Sequence, residues 1–154
     1  MSTDQSWDIT FCIMTLKRTP WLRKSVSSIL RYCPTECFIK ILSQGPPDKD
    51  LVESLTRMND DRIELITSPV NLHAGGGRRL LSQRVTSSFT MTLDDDMYLT
   101  EGAITYALRA FQRNDRIGAV SMPQYDLQGR MLSPGGNKSV SYTHLRAHET
   151  GRNL

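Results

Sequence analysis

Apolar residues recur along this chain in two alternating rhythms, and the alternation predicts an architecture. Asp8 to Met14 is a mostly apolar, strand-like run. Thr19-Pro20 follows as an N-cap with proline at the first helical position. Leu22, Val26, Ile29 and Leu30 then fall at i, i+4, i+7 and i+8, one helical face. Phe38 to Leu42 predicts a second strand, broken by Gly45-Pro46-Pro47. Leu51, Leu55 and Met58 mark a second helix, and Arg62 to Thr67 a third strand. Gly75 to Val85 begins loose and becomes helical through Leu80 and Leu81. Phe89 to Leu93 is a fourth strand. Thr100 caps a helix carrying Ile104, Leu108 and Phe111, Ile117 to Met122 is a fifth strand, and Gln128-Gly129 forms a turn. Strands and helices alternating over short links predict an α/β fold, a three-layer sandwich with a mainly parallel sheet and helices on both faces. In such sheets ligands bind beyond the carboxyl ends of the strands.

Composition narrows the class. The 154 residues are one domain's worth of material, and 38% hydrophobic with 23% charged residues fits a globular protein rather than a disordered one. The +3 formal charge comes from scattered Lys and Arg, so no nucleic-acid partner is expected. No apolar stretch reaches membrane-spanning length, and Met1 to Ser6 lacks the features of a signal peptide. Cys12, Cys33 and Cys37 are an odd set; Cys33 and Cys37 with His73 as the further nitrogen donor make a poor zinc set. The expectation is a cytoplasmic protein with reduced thiols, with any membrane association supplied by a missing C-terminal part.

The last stretch departs from this pattern. Val140 to Thr150 looks like the translation of a transposase-type sequencing adaptor, all eleven residues agreeing with one reading frame. Residues 139–154 are therefore read as a non-native tail and excluded from the fold, leaving a domain over 8–138. His144 and His148 leave the argument with it. Losing Arg146, Arg152 and Glu149 takes the 19 basic and 16 acidic residues to 17 and 15, net +2.

Two segments carry chemistry. Asp94-Asp95-Asp96 ends the fourth strand, and three carboxylates beside apolar residues are costly unless something positive shares the site. Side chains at i and i+2 of a strand share a face, so Asp94 and Asp96 converge on one cation while Asp95 points away. Two carboxylates on a hydrated divalent ion, with phosphate oxygens completing the shell, is a magnesium–phosphate arrangement. Upstream, Asn71-Leu72-His73-Ala74-Gly75-Gly76-Gly77-Arg78-Arg79 leads into a helix. Its glycines allow close backbone approach to a ligand, the helix start suits an anion, and Arg78 offers planar donors to phosphate or a base edge. It is neither G-x-G-x-x-G nor a P-loop. Asp126 reads as a turn former, Glu101 as first-turn helix charge, and Trp21 as packing.

The order of these pieces resembles the family 2 glycosyltransferases, which have the GT-A nucleotide-sugar fold, over roughly residues 8–135. Phe11 to Arg18 resembles the opening V-V-I-P-T-Y-N-R: Ile13, Thr15 and Arg18 match, while Met14, Leu16 and Lys17 replace Pro, Tyr and Asn. Ser43-Gln44-Gly45-Pro46 stands where D-D-G-S is usual; only Gly45 matches, and Gln44 takes the place of the acid that reads the nucleobase. Asn71 to Arg79 resembles N-L-G-F-A-G-G-R-N, with Asn71, Leu72, Gly76, Gly77 and Arg78 matching and His73 standing where Gly is usual. Leu93 to Asp96 resembles the L-D-x-D metal and nucleotide-sugar element.

The resemblance implies a nucleotide-diphosphate sugar as donor and a divalent metal, Mn or Mg, as cofactor. The sugar passes with inversion to an unknown acceptor: glycan, lipid or protein. Thr15, Arg18, Gln44, Asn71, Gly76, Gly77, Arg78, Asp94 and Asp95 would form the nucleotide-sugar site, with Asp96 on the metal and Asp94 on the metal or ribose. The family's catalytic base, a carboxylate, matches nothing before residue 139, so the catalytic residue is unassigned and the chain is expected to be an inactive, donor-binding fragment. Two rival readings stay open: a nucleotide-binding module without catalysis, and a sugar-1-phosphate nucleotidyltransferase, whose G-x-G-T-R loop is absent here. An adaptor-derived tail has had no selection to pack on this fold. Deleting residues 140–154 should therefore leave the thermal melting temperature unchanged or higher; a clear drop would count against that origin.

Overall fold

The computed structural model describes residues 8–33 and 36–139. The adaptor-like tail, Trp7 and the first residues lie outside the described range. The described chain divides into two compact units, one ending at Thr100 and one beginning at Glu101.

The first unit is built on four parallel strands in the order β3-β2-β1-β4. They are β1 (Ile9–Thr15), β2 (Cys37–Gln44), β3 (Ile63–Ser68) and β4 (Phe89–Asp94). The helices between them are α1 (Thr19–Tyr32), α2 (Lys49–Met58) and α3 (His73–Ser82). The chain steps from β1 to β2 to β3 in one direction, so right-handed crossovers put α1 and α2 on one face, where they pack together. The step from β3 to β4 goes back past β2 and β1, which puts α3 on the opposite face, against β1 and β2. Strand alternation divides the core accordingly. Cys12 and Leu42, with Ile66 and Leu81, form a cluster under α3, and Met14, Leu72, Leu80 and Val85 pack against it. Phe11, Ile13, Ile39 and Ile41 alternate with these residues and are fully buried, as are Leu22, Val26 and Ile29 of α1.

Several local expectations are corrected. Thr19 does not cap α1; the helix already includes it, and Arg18 occupies the N-cap without a side-chain bond. The Thr19 hydroxyl donates instead to Asp48 Oδ2 at 3.0 Å, while Asp48 Oδ1 accepts from Leu51 N and caps α2. One carboxylate thus ties the first turns of both helices. Trp21, expected to pack, is 47% exposed, with the Lys24 ammonium 5.3 Å from its ring centre.

The glycine run is not loose. All three glycines lie within α3, and a methyl group at Gly77 would sit 2.5 Å from Met14 Sδ and 3.2 Å from Leu42 Cδ2. Gly77 therefore lets the helix lie close on the sheet, where the sequence had suggested approach to a ligand. Gly75 has open space at the same position.

The second unit holds α4 (Ala103–Arg113), β5 (Ile117–Ser121), β6 (Gln124–Tyr125), β7 (Met131–Ser133) and β8 (Gly136–Ser139). The expected single domain over 8–138 separates here because β5 pairs antiparallel with β8, keeping its backbone bonds within this unit. Gly102 at φ +77°, not Thr100, occupies the N-cap of α4. Ile104 and Leu108 are buried as the helical spacing predicts. β6 and β7 form a hairpin around the expected turn. Asp126 accepts from the backbone N–H of Gln128 and Arg130 and from Arg130 Nε, and these bonds, led by the Arg130 backbone, hold its carboxyl below the usual range. That confirms Asp126 as a turn former. Among the described residues no helix is long and apolar enough to cross a membrane.

The two glycines separate helix propensity from packing. Gly75→Ala should stabilise the protein by about 0.5–1 kcal/mol. The same change at Gly77 sets overpacking of about 1–3 kcal/mol against that gain and should destabilise it. Urea melts of both variants test the pair; equal shifts would mean that α3 does not rest on the sheet through Gly77.

Candidate nucleotide-binding site

The order β3-β2-β1-β4 reverses between β1 and β4, neighbours that are far apart in the chain. The crevice beyond their carboxyl ends is the topological switch point, where open α/β sheets bind ligands. β1 delivers Thr15 and, one turn later, Arg18; β4 delivers Asp94 and the two carboxylates after it.

The register aligns Met14 with Asp94, so the next residues, Thr15 and Asp95, face each other across the two strand ends. Thr15 Oγ1 donates to Asp95 Oδ2 at 2.7 Å in a buried contact. Asp95 is 6% exposed, the one buried carboxylate among the described residues. β4 ends at Asp94, and Met97 N donates back to Asp94 O across a tight turn. The strand therefore ends before Asp95 and Asp96, and the turn rather than strand alternation sets where they point. Asp95 turns inward to the protein, and Asp94 and Asp96 are left exposed.

Each exposed carboxylate meets its own arginine. Arg18 Nη1 lies 3.1 Å from Asp96 Oδ2 and 3.6 Å from Asp95 Oδ1. Arg78 of α3 lies 3.8 Å from Asp94 Oδ1, consistent with Asp94 sharing the sheet face of Met14. Tyr98, not anticipated from the sequence, stands beside this turn. Its hydroxyl is buried without a hydrogen-bond partner, and burial, with the nearby Asp96 charge, pushes its pKa up. The sequence signal for it was an aromatic residue two positions after the acidic run.

The Asn71 to Arg78 segment is positioned from β2. Gln44 is buried, and its Oε1 accepts from Leu72 N at 2.8 Å. The residue expected to face a base edge thus uses its carbonyl oxygen to hold the start of α3. Asn71 Oδ1 accepts from His73 N at 2.8 Å, an Asx turn. Gly76 is exposed in the helix, with Leu72 Cβ 3.1 Å from where its own Cβ would stand. His73 is exposed at φ +56°, and Lys17, in the β1–α1 turn, at φ +58°. These are two positions where the resembled motifs carry Gly and Asn, the residues that tolerate the left-handed region best.

The switch point gathers Thr15, Arg18, Arg78, Asp94, Asp95 and Asp96. Gln44, Asn71, Gly76 and Gly77 shape the neighbouring helix start. Among the described residues no three His, Cys, Asp or Glu side chains form a ready metal-binding group. Asp94 and Asp96 nevertheless suit a hard divalent ion that takes one or two carboxylates and completes its shell with water and phosphate oxygens. Arg18 Nη1, poised between two carboxylates, marks a place where positive charge is favourable.

Thr15→Val should remove a hydroxyl donor from a buried carboxylate and cost about 1–3 kcal/mol, whereas Thr15→Ser should retain stability. Denaturant titration checks this. A neutral valine would mean that Asp95 does not depend on Thr15.

Comparison with known proteins agrees with this fold. The sequence pattern described as Glycosyl transferase family 2 matches residues 10–153. Among solved structures, S. aureus TarS 1–349 matches with a TM-score of 0.60 at 13% identity, covering 82% of this chain and 45% of that chain. Its complex with UDP matches with a TM-score of 0.61, also at 13% identity and with the same coverage of 82% and 45%. Its complex with UDP-GlcNAc gives a TM-score of 0.60 at 11% identity, covering 79% of this chain and 41% of that one. At such identities the likeness is one of fold, and the chain spans less than half the length of TarS 1–349. No curated protein matches the chain. With the family pattern matching nearly its whole length, this chain belongs to glycosyl transferase family 2.

Proposed function

We propose that this chain is the donor-binding part of a glycosyltransferase that takes a nucleotide-diphosphate sugar and, when complete, passes the sugar with inversion to an acceptor hydroxyl. The observation that carries this reading is the meeting of Thr15, Arg18 and Asp94–Asp96 at the switch point of a parallel sheet. TarS, similar in fold, has been crystallised with UDP and UDP-GlcNAc, which supports a uridine nucleotide as the first probe.

The residues divide the work. The Thr15–Asp95 bond fixes the acidic turn. Arg18 and Arg78 present guanidinium groups suited to diphosphate oxygens. Gln44 and Asn71 hold the start of α3 and so place Arg78. Asp96, with Asp94, would hold a magnesium or manganese ion, which supplies positive charge to neutralise the leaving diphosphate. No residue from 8 to 138 matches the base that deprotonates the acceptor, and none is given that role. Losing a positioned base alone costs about 10²–10⁴-fold in rate, so the chain binds donor and transfers no sugar.

Calorimetric titration of UDP with manganese and with chelator tests the reading. Binding should need the metal, and Asp96→Asn should weaken it about tenfold or more, while Asp95→Asn, which keeps an oxygen for Thr15, should have a smaller effect. UDP binding that is indifferent to both metal and Asp96 would overturn the assignment. Robust sugar transfer by this chain would show that the base lies within it.

A further inference from the structure

The geometry points to Arg18 as a resident cation: in the free protein its guanidinium neutralises Asp96, a carboxylate that a divalent metal takes in the loaded site, and its release couples metal binding to diphosphate binding. This rests on the reading of the acidic turn as a metal–nucleotide site and adds how that site is held before loading.

A single nitrogen, Arg18 Nη1, stands 3.1 Å from Asp96 Oδ2 and 3.6 Å from Asp95 Oδ1. The backbone of Arg18 is fixed, because its carbonyl accepts from both Trp21 N and Leu22 N at the start of α1. The side chain is not fixed. It is 57% exposed and Asp96 is 48% exposed, and a solvated ion pair of this kind is weak enough to exchange. Asp95 behaves differently. Its side chain is 9% exposed and keeps the Thr15 hydroxyl whether or not Arg18 stays. Arg18 can therefore swing away while the turn remains in place, which separates it from a structural salt bridge.

Charge sets the direction of exchange. Three consecutive carboxylates are met by two guanidinium groups, those of Arg18 and Arg78. A dication at Asp96 brings like charge against Arg18 and expels it. Metal alone then leaves the guanidinium without a partner. A diphosphate offers it planar oxygen pairs while also completing the metal's shell. Metal and diphosphate should bind better together than either alone, and linkage makes the enhancement equal in both directions.

The test is the manganese affinity of the full chain, read from the electron paramagnetic resonance signal of free Mn²⁺, with and without UDP. Wild type should bind manganese weakly alone and about fivefold or more tightly with UDP. Arg18→Ala should bind manganese alone about threefold tighter and lose most of the UDP enhancement. Arg18→Lys should restore the weak metal-only affinity but recover only part of the enhancement, lacking the planar fork. Arg23→Ala, an exposed cation further along α1, should match wild type. If Arg18→Ala leaves both quantities unchanged while wild type shows the enhancement, the exchange is overturned and the metal site stands. If wild type binds no manganese even with UDP, the underlying reading falls and the exchange with it.

Discussion

A buried carboxylate must find donors, and Asp95 finds the Thr15 hydroxyl 2.7 Å away, 80 residues earlier in the chain. Left unsatisfied, such a group costs several kcal/mol (~2–7 for a neutral polar group, more when charged), so the ends of β1 and β4 are obliged to stay level. The rest of the site depends on that alignment. With Asp95 turned inward, Asp94 and Asp96 face outward on either side of it. Arg18, one turn beyond Thr15, comes within reach of both Asp95 and Asp96, and Arg78 reaches Asp94 from the helix above.

The architecture was legible because its signals are local. Period-2 apolar runs separated by period-3.6 faces named all four strands of the parallel sheet and the helices between them, to within one or two residues at the strand ends. The acidic run was placed at a strand's carboxyl end before any pairing was known. What escaped was decided by partners distant in sequence. Gly77 reads as backbone freedom, and only Met14 and Leu42 on the sheet beneath it show that the missing side chain is a matter of helix–sheet distance. Thr19 and Thr100 both look like caps, but Asp48 draws the first hydroxyl away and Gly102 begins the second helix. The partner of Asp95 was hidden because Thr15 lies 80 residues earlier in the chain. The pairing of β5 with β8 was equally non-local.

Lys17 and His73 show where the chain accepts strain. Both hold left-handed backbone, which costs a side chain with a Cβ about 1–2 kcal/mol. Both border the switch-point region, one before Arg18 and one at the start of the helix that carries Arg78. Residues in sparsely populated conformations persist where surrounding structure over-determines them. At His73 that structure is visible: the Asx bond from Asn71 and the Gln44–Leu72 bond pin the two residues before it.

The position of β1 has a consequence for how the molecule comes to be. It precedes β2, β3 and β4 in the chain and is an inner strand of the sheet, bonded to β2 on one side and β4 on the other. Until residues 89–94 arrive, one edge of β1 stands open, and closing it joins segments separated by most of the unit. Such non-local parallel pairing is slow relative to the local crossovers before it. The crevice beyond the strand ends thus needs β4 docked on β1, and a chain that has paired only β1 to β3 lacks one wall of it. A ligand of this site would act selectively on the completed sheet, adding about 2.7 kcal/mol at a hundredfold excess over its dissociation constant. It would hold the late strand in place against fraying and proteolysis while leaving the earlier strands to stand on their own packing.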